Sequence, residues 1–261
     1  MADTTSLEAL PASVTLLAAA VGSDQDPDET AQALAASVAH APAAEQDELA
    51  FAAVLAVLPT TRAWLVAQGL SAAQADASIA DVPRKRDRYG IVGTGMGWFC
   101  GIVTGRVVAV GRLQFEVGTH LPDGTPAWGV HVPETGPLDP EACARSFAAA
   151  PDVLRRLAPE HQATVWSCRS WTLDEGLAAA LGPEANLVRF AERFELLPPG
   201  PDDEHEGDDS AAKFVFGTDL AAARDAVPRG RVQTAVHERW AAGGHWTERT
   251  GTAPVGVPSS A

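Results

Sequence analysis

Near residue 90 the apolar residues change their period, from that of a helix to that of a strand, and few folds accommodate both halves. Up to residue 85 the spacing is helical. "SLEALPASVTLL" puts Leu7, Leu10, Val14 and Leu17 on one stripe. "DPDETAQALAASVAHA" opens on Asp26 and Pro27, a cap residue followed by a proline suited to the first turn. "EQDELAFAAVLAVLP" and "TTRAWLVAQGL" follow, and Pro59 is expected to end the former. "SAAQADASIADVP" starts at a serine cap and is expected to stop at Pro83. This predicts a helical N-terminal domain over residues 1–85, a packing module or a contributor to substrate binding.

The basic run "VPRKRDRYG" marks the expected boundary, with a second domain over residues 86–261. Arg84, Lys85, Arg86 and Arg88 read either as a solvated linker or as an anion-binding edge. Beyond them strands dominate. "GWFCGIVTGRVVAVGRLQFEV" reads as a hairpin turning at Thr104–Gly105. "AWGVHVP" and "ATVWSCRSWTL" read as further strands, and "FELLPP" with "AKFVFGT" as a second hairpin. "ETGPLDPEACARSFAAA", "PDVLRRLAPEH", "DEGLAAALG", "PEANLVRFAERF" and "DLAAARDAVPRGRVQTAVHERWAAGG" read as helices. The acidic connector "PGPDDEHEGDDSA" is expected to be a solvated loop, and "TERTGTAPVGVPSSA" a frayed tail.

Charge narrows the partners. The formal net charge of −15 over 261 residues argues against nucleic acid or an anionic membrane as the main partner. No apolar run is expected to span a membrane, and the first 22 residues lack the basic start of a signal peptide. Three separated cysteines suit a reducing compartment, so a cytoplasmic location is expected. The glycine-rich "GTGMG" is followed by a strand-like run rather than a helix, which excludes a dinucleotide fingerprint on this reading. There is no Walker pattern, no G-x-S-x-G, no H-E-x-x-H and no C-x-x-C, so no metal site is expected.

Four segments, "GRLQFEV", "VHVPETGPLDPEACARSFAAA", "CRSWTLDEGLAAAL" and "EANLVRFAERFELLP", occur in an order that resembles bacterial acyltransferase-domain proteins. In that group a GNAT-like C-terminal domain follows a helical N-acyltransferase domain. The resemblance covers most of residues 90–220. It implies an α/β (α+β) fold, a GNAT-like mixed central sheet flanked by helices and preceded by the helical domain. It also implies acyl transfer from a thioester to an amine or other small nucleophile by direct attack. The alternative is a catalytically inactive GNAT-like ligand-binding or scaffold protein.

The usual GNAT pyrophosphate pattern, R/Q-x-x-G-x-G/A, is replaced here by "HVPETGPLDPEA". Thr135, Gly136 and Ser146 are the candidate cofactor-binding residues. Glu134, Asp139 and Glu141 oppose a pyrophosphate, so the donor is acyl-CoA or the acyl-phosphopantetheine of an acyl-carrier protein. The acceptor is a small molecule.

Amine attack needs a base, because an alkyl ammonium has no lone pair. Alternation in "VGRLQFEV" puts Gln114 and Glu116 on the polar face of a strand. Glu116 is the leading base, with ion pairing to Arg112 as its structural alternative, and Gln114 a substrate-orienting residue. His131 is the second candidate base. Ser170 or Cys168 would protonate the leaving thiolate, Cys168 as a covalent nucleophile being the rival. Trp171 and Asn186 complete the expected substrate site.

Overall fold

The structure, a computed structural model, describes residues 4–200 and 203–256. Six helices come first: α1 (Thr4–Ala20), α2 (Pro27–Val38), α3 (Ala43–Ala67), α4 (Ala72–Ile79), α5 (Asp81–Thr94) and α6 (Met96–Val103). Asp26 caps α2 by accepting from the Asp28 and Glu29 N–H groups, and Ser71 caps α4 in a reciprocal pair with Gln74. Leu17, Leu34, Phe51, Val54, Phe99 and Ile102 are buried in their shared core, with Leu10 and Val14 packed at its edge. The side chain of Leu7, read on the same stripe, lies outside what is described.

Three helical readings are corrected. Pro59 does not stop α3, which runs through it to Ala67. α3 is long and apolar enough to cross a membrane, contrary to the sequence expectation; here its Ala50, Phe51, Val54 and Leu65 are buried in the protein. The basic run is no linker, since residues 84–88 lie inside α5, which kinks at Gly90.

The expected strand over "GWFCGIV" is α6. Its residues favour strands, but two glycines one helical turn apart explain the difference. A Cβ on Gly97 would strike the Asp28 carboxylate, and one on Gly101 would press on Val107 and Pro27 at 3.2 and 3.8 Å. Gly97 and Gly101 therefore let the start of α2 approach α6 closely, and tertiary packing overrides propensity.

Then come β1 (Val107–Val110), β2 (Leu113–His120), β3 (Pro126–His131), α7 (Pro140–Leu157), β4 (Val165–Ser170), α8 (Leu177–Leu181), α9 (Asn186–Ala191), β5 (Glu195–Leu196), α10 (Asp203–Ala211), α11 (Leu220–Asp225), α12 (Gly230–Ala241) and β6 (Arg249–Pro254). The hairpin turns at Gly111–Arg112, not at Thr104–Gly105. The six strands form one mixed sheet in the order β1-β2-β3-β4-β6-β5. β3 and β4 run parallel, and every other neighbour pair is antiparallel.

The C-terminal readings need more correction. The acidic connector forms α10, and its Asp208 is buried, accepting from the Trp240 indole (2.6 Å) and the Trp246 N–H (2.7 Å). "AKFVF" is a π-helical turn over Ala212–Phe216, not a strand. β5 pairs instead with β6, inside the segment read as a tail. Residues 257–261 of that segment lie outside what is described.

One sheet face packs on α7. Leu113, Phe115, Val117, Trp128, Val130 and Trp166 meet Cys143, Val153 and Leu154 there. The strand register puts Gln114, Glu116, Gly129 and His131 together on the opposite face.

Candidate active site

The parallel ladder of β3 and β4 ends at Gly129↔Ser167. Both strands continue beyond it, to His131 and Ser170, so the sheet opens in its middle. A cleft of about 1150 Å³ occupies the opening. Val130, His131, Cys168, Ser170 and Gln114 line its strand side.

His131 lies directly across from Gln114, and Glu116 is the diagonal neighbour. The Glu116 carboxylate reaches the imidazole, with Oε2 2.8 Å from Nε2. Gly129, opposite Glu116, makes this possible. A Cβ there would sit 3.0 Å from the Glu116 Cβ and 3.3 Å from its Oε2. Both side chains are about one-third exposed, His131 at 32% and Glu116 at 30%, so solvent and substrate can reach them. Glu116 therefore partners His131, not Arg112, and the imidazole is the member of the pair that faces the cleft.

Arg112 has a different task. Its Nε donates to the Pro137 carbonyl at 2.8 Å, Nη1 to Pro133 at 3.0 Å and Nη2 to Gly136 at 2.8 Å. It thereby holds the loop from β3 to α7. Gly136 lines the cleft, with a φ of +113° that suits glycine. Ser146 is buried behind the loop, where its hydroxyl accepts from the Arg112 N–H (2.8 Å) and donates to the Ala142 carbonyl (3.0 Å). Neither Ser146 nor Thr135 lines the cleft.

Two acids of this loop are held by hydrogen bonds, Glu134 while still lining the cleft. Asp139 caps α7 by accepting from the Ala142 N–H at 2.7 Å. Glu134 accepts from Lys85 Nζ at 2.8 Å and from the Tyr89 hydroxyl at 2.6 Å. Burial alone would raise the Glu134 carboxyl, but these two donors outweigh it and hold the carboxyl below the usual range. Burial and the same carboxylate push the Tyr89 hydroxyl well up. The expected repulsion between Glu134 and a bound anion is thus spent on Lys85.

Cys168 packs in the core beneath the cleft. Burial, with a smaller contribution from Glu248, pushes its thiol up to about 12, the opposite of what a nucleophilic cysteine requires. Ser170 stands at the cleft; its hydroxyl accepts from the Thr172 N–H at 3.2 Å and shares a hydrogen bond with Thr172 Oγ1 at 2.9 Å. Trp171 and Asn186 also line the cleft, Asn186 as the first residue of α9. The structure thus brings together eight of the sequence candidates, Glu116 standing behind His131, and leaves Ser146 and Thr135 outside.

The helices bring further residues to the cleft, among them Lys85, which the basic run offered as part of an anion-binding edge. Trp98 of α6 packs edge-on against His131, ring centroids 4.8 Å apart, and its indole is fixed by Asp81 at 2.8 Å. Lys85 and Tyr89 of α5 and Lys213 of the π-helical turn complete that wall. The chain's two lysines, out of 19 basic residues, both lie here. That concentration was visible as a composition signal, but its location was not.

This fold and cleft place the chain in a known group. The model of the GNAT-like C-terminal domain family matches residues 107–253, more than half of the sequence, and the chain belongs to that family. Solved structures agree. An acyltransferase in complex with decanoyl-CoA and teicoplanin is 30% identical, with a TM-score of 0.70, over 82% of this chain and 68% of that one. An acyltransferase in complex with decanoyl-CoA gives 30% and 0.69, over 81% and 67%. One in complex with CoA and 10C-teicoplanin gives 29% and 0.67, over 82% and 68%. No curated protein matches the chain.

Proposed function

We propose that this protein transfers an acyl group from acyl-CoA to an amine, or another nucleophile, of a small-molecule acceptor, by direct attack at the opening between β3 and β4. The observation that carries the reading is the His131–Glu116 pair at that opening. The acyl-CoA and teicoplanin complexes of the similar acyltransferases support the donor class and a small-molecule acceptor.

His131 is the base in this reading, and Glu116 positions it. A carboxylate accepting from Nε2–H leaves Nδ1 as the proton acceptor and stabilises the imidazolium that forms. The acceptor nitrogen attacks the thioester carbonyl as its proton passes to His131. The C–N bond forms, the C–S bond breaks, and the departing sulfur takes a proton from Ser170 or solvent. Gln114, beside His131 and buried, orients the acceptor. Trp171 and Asn186 border the acyl chain. The loop after β3, held by Arg112, meets the donor's pyrophosphate at the start of α7, where helix N–H groups favour an anion.

The helices before residue 95 form the acceptor-side wall through Lys85, Tyr89 and their neighbours. Three free buried cysteines support a reducing compartment such as the cytoplasm.

The test is a donor panel of acyl-CoAs and acyl-carrier proteins against pooled amines, read as free thiol released and acylated product by mass spectrometry. Release from acyl-CoA that needs an acceptor supports the reading. Release from carrier donors alone replaces CoA with acyl-phosphopantetheine. No release from any donor leaves the inactive ligand-binding alternative.

A further inference from the structure

Lys213 carries a charge that Glu134 and Glu248 attract without bonding it. Among the described residues it makes no hydrogen bond or ion pair. Its Nζ lies 5.1 Å from the Phe214 ring centroid and 5.4 Å from that of Tyr89. Lys85 Nζ sits over the same two rings, 5.4 and 5.2 Å from their centroids. Two ammonium groups thus share one aromatic pair, whose rings meet edge-on at 5.7 Å.

The nearby acids are committed elsewhere. Glu134 is bonded to Lys85 and Tyr89. Glu248 accepts from the Ser210 hydroxyl at 3.0 Å and pairs with Arg169 at 3.4 Å. Burial first, and Lys85 second, push the Lys213 ammonium below the ordinary lysine range. Partial burial of an unpaired cation costs free energy that an incoming anion would recover. The wall is basic overall: Arg229 and Arg231 line the same cleft, in a chain whose net charge is −15.

The geometry points to an anion subsite at Lys213, assisted by Lys85, that grips a carboxylate or phosphate group of a substrate bound in the cleft. This rests on the cleft being the substrate site. A chain of ring contacts ties the subsite to the base: Lys85 lies 5.6 Å from the Trp98 ring centroid, and Trp98 packs on His131. An anionic acceptor is one source of the group. The terminal phosphate of the donor is the other.

Having only two lysines makes the test direct. Reductive methylation of the whole chain with 13C-formaldehyde keeps the charges and labels both side chains, and Lys213→Arg assigns the signal. Phenylacetate and neutral phenylacetamide probe the acceptor source. CoA and dephospho-CoA probe the donor source. The Lys213 signal should move saturably with phenylacetate and not with the amide, or with CoA far more than with dephospho-CoA. Lys213→Met should weaken the responding probe about tenfold or more, as loss of a charge-assisted contact does. A Lys213 signal that neither anion moves, or unchanged affinity in Lys213→Met, overturns the subsite. Thiol release in the donor panel reports separately on acyl transfer, so the two failures are distinguishable.

Discussion

The Glu116 carboxylate lies 2.8 Å from His131 Nε2, across a strand pair in which glycine faces the carboxylate. The pair joins a group that touches the cleft to one that does not. In the proposed reaction His131 is the reacting residue and Glu116 its positioning partner.

Replacing His131 by Ala should lower kcat/KM by about 100-fold or more, the range of a lost general base. Glu116→Gln should cost less, about tenfold, and mainly in kcat, because the imidazole remains but its tautomer is no longer held. The double variant should be little worse than His131→Ala alone. Steady-state kinetics of the three variants checks this. Additive losses would separate the two residues.

Gly129→Ala should disturb the pair without touching it. The added methyl would sit 3.0 Å from both the Glu116 Cβ and Thr119 Oγ1. The expected cost is about 1–2 kcal/mol of stability, as for overpacking generally. A several-fold loss in kcat should accompany it, with KM for the donor unchanged. Thermal unfolding and initial rates measure the two effects.

Glu134 should matter for stability in a pH-dependent way. Its carboxyl is held below the ordinary range by Lys85 and Tyr89. A lowered folded-state value stabilises above the unfolded-state value, near 4.5 for this carboxyl, and that contribution is lost as pH falls through the folded-state value. Glu134→Gln should therefore cost about 3 kcal/mol at neutral pH, chiefly by leaving Lys85 unpaired. The gap between wild type and variant should narrow as pH falls below about 4.5. Melting temperatures from pH 3 to 8 test the sign; a gap that widens in acid contradicts it.

Deleting residues from Arg249 onward should abolish soluble folding. β6 lies between β4 and β5, and pairs residue by residue with β4 from Val165↔Pro254 to Ser170↔Arg249. Its removal leaves one edge of the central opening unpaired. Expression with a circular dichroism spectrum suffices; a folded truncation would show that the sheet does not depend on this strand.

That strand also shows where sequence reading stops. "RTGTAP" is polar, short and ends in proline, and only its two partners make it a strand. "MGWFCGIV" carries strand formers but packs as a helix because Gly97 and Gly101 admit α2. Pattern alone cannot see either neighbour. The alternation of "GRLQFEV" was legible, as one face of β2 is core and the other faces the cleft. It put Gln114 and Glu116 on one face of β2, where the structure has them, and the strand "AWGVHV" contained His131. The contact between Glu116 and His131 depends on register across β2 and β3, which a single strand does not carry. Tyr89, Trp98 and Lys213 reach the site from distant helices and a π-helical turn, so no local spacing announces them, and the basic run that offered Lys85 as part of an anion-binding edge did not say which cleft it meets.

Direct transfer at His131 can be read in one experiment. Decanoyl-CoA is mixed with the protein, with and without an amine acceptor, and followed by free-CoA release and intact-protein mass. Release is expected only when an acceptor is present, with no acyl adduct on the protein at any time and loss of release in His131→Ala. An acyl-protein adduct that forms without acceptor, or undiminished release in His131→Ala, would contradict it.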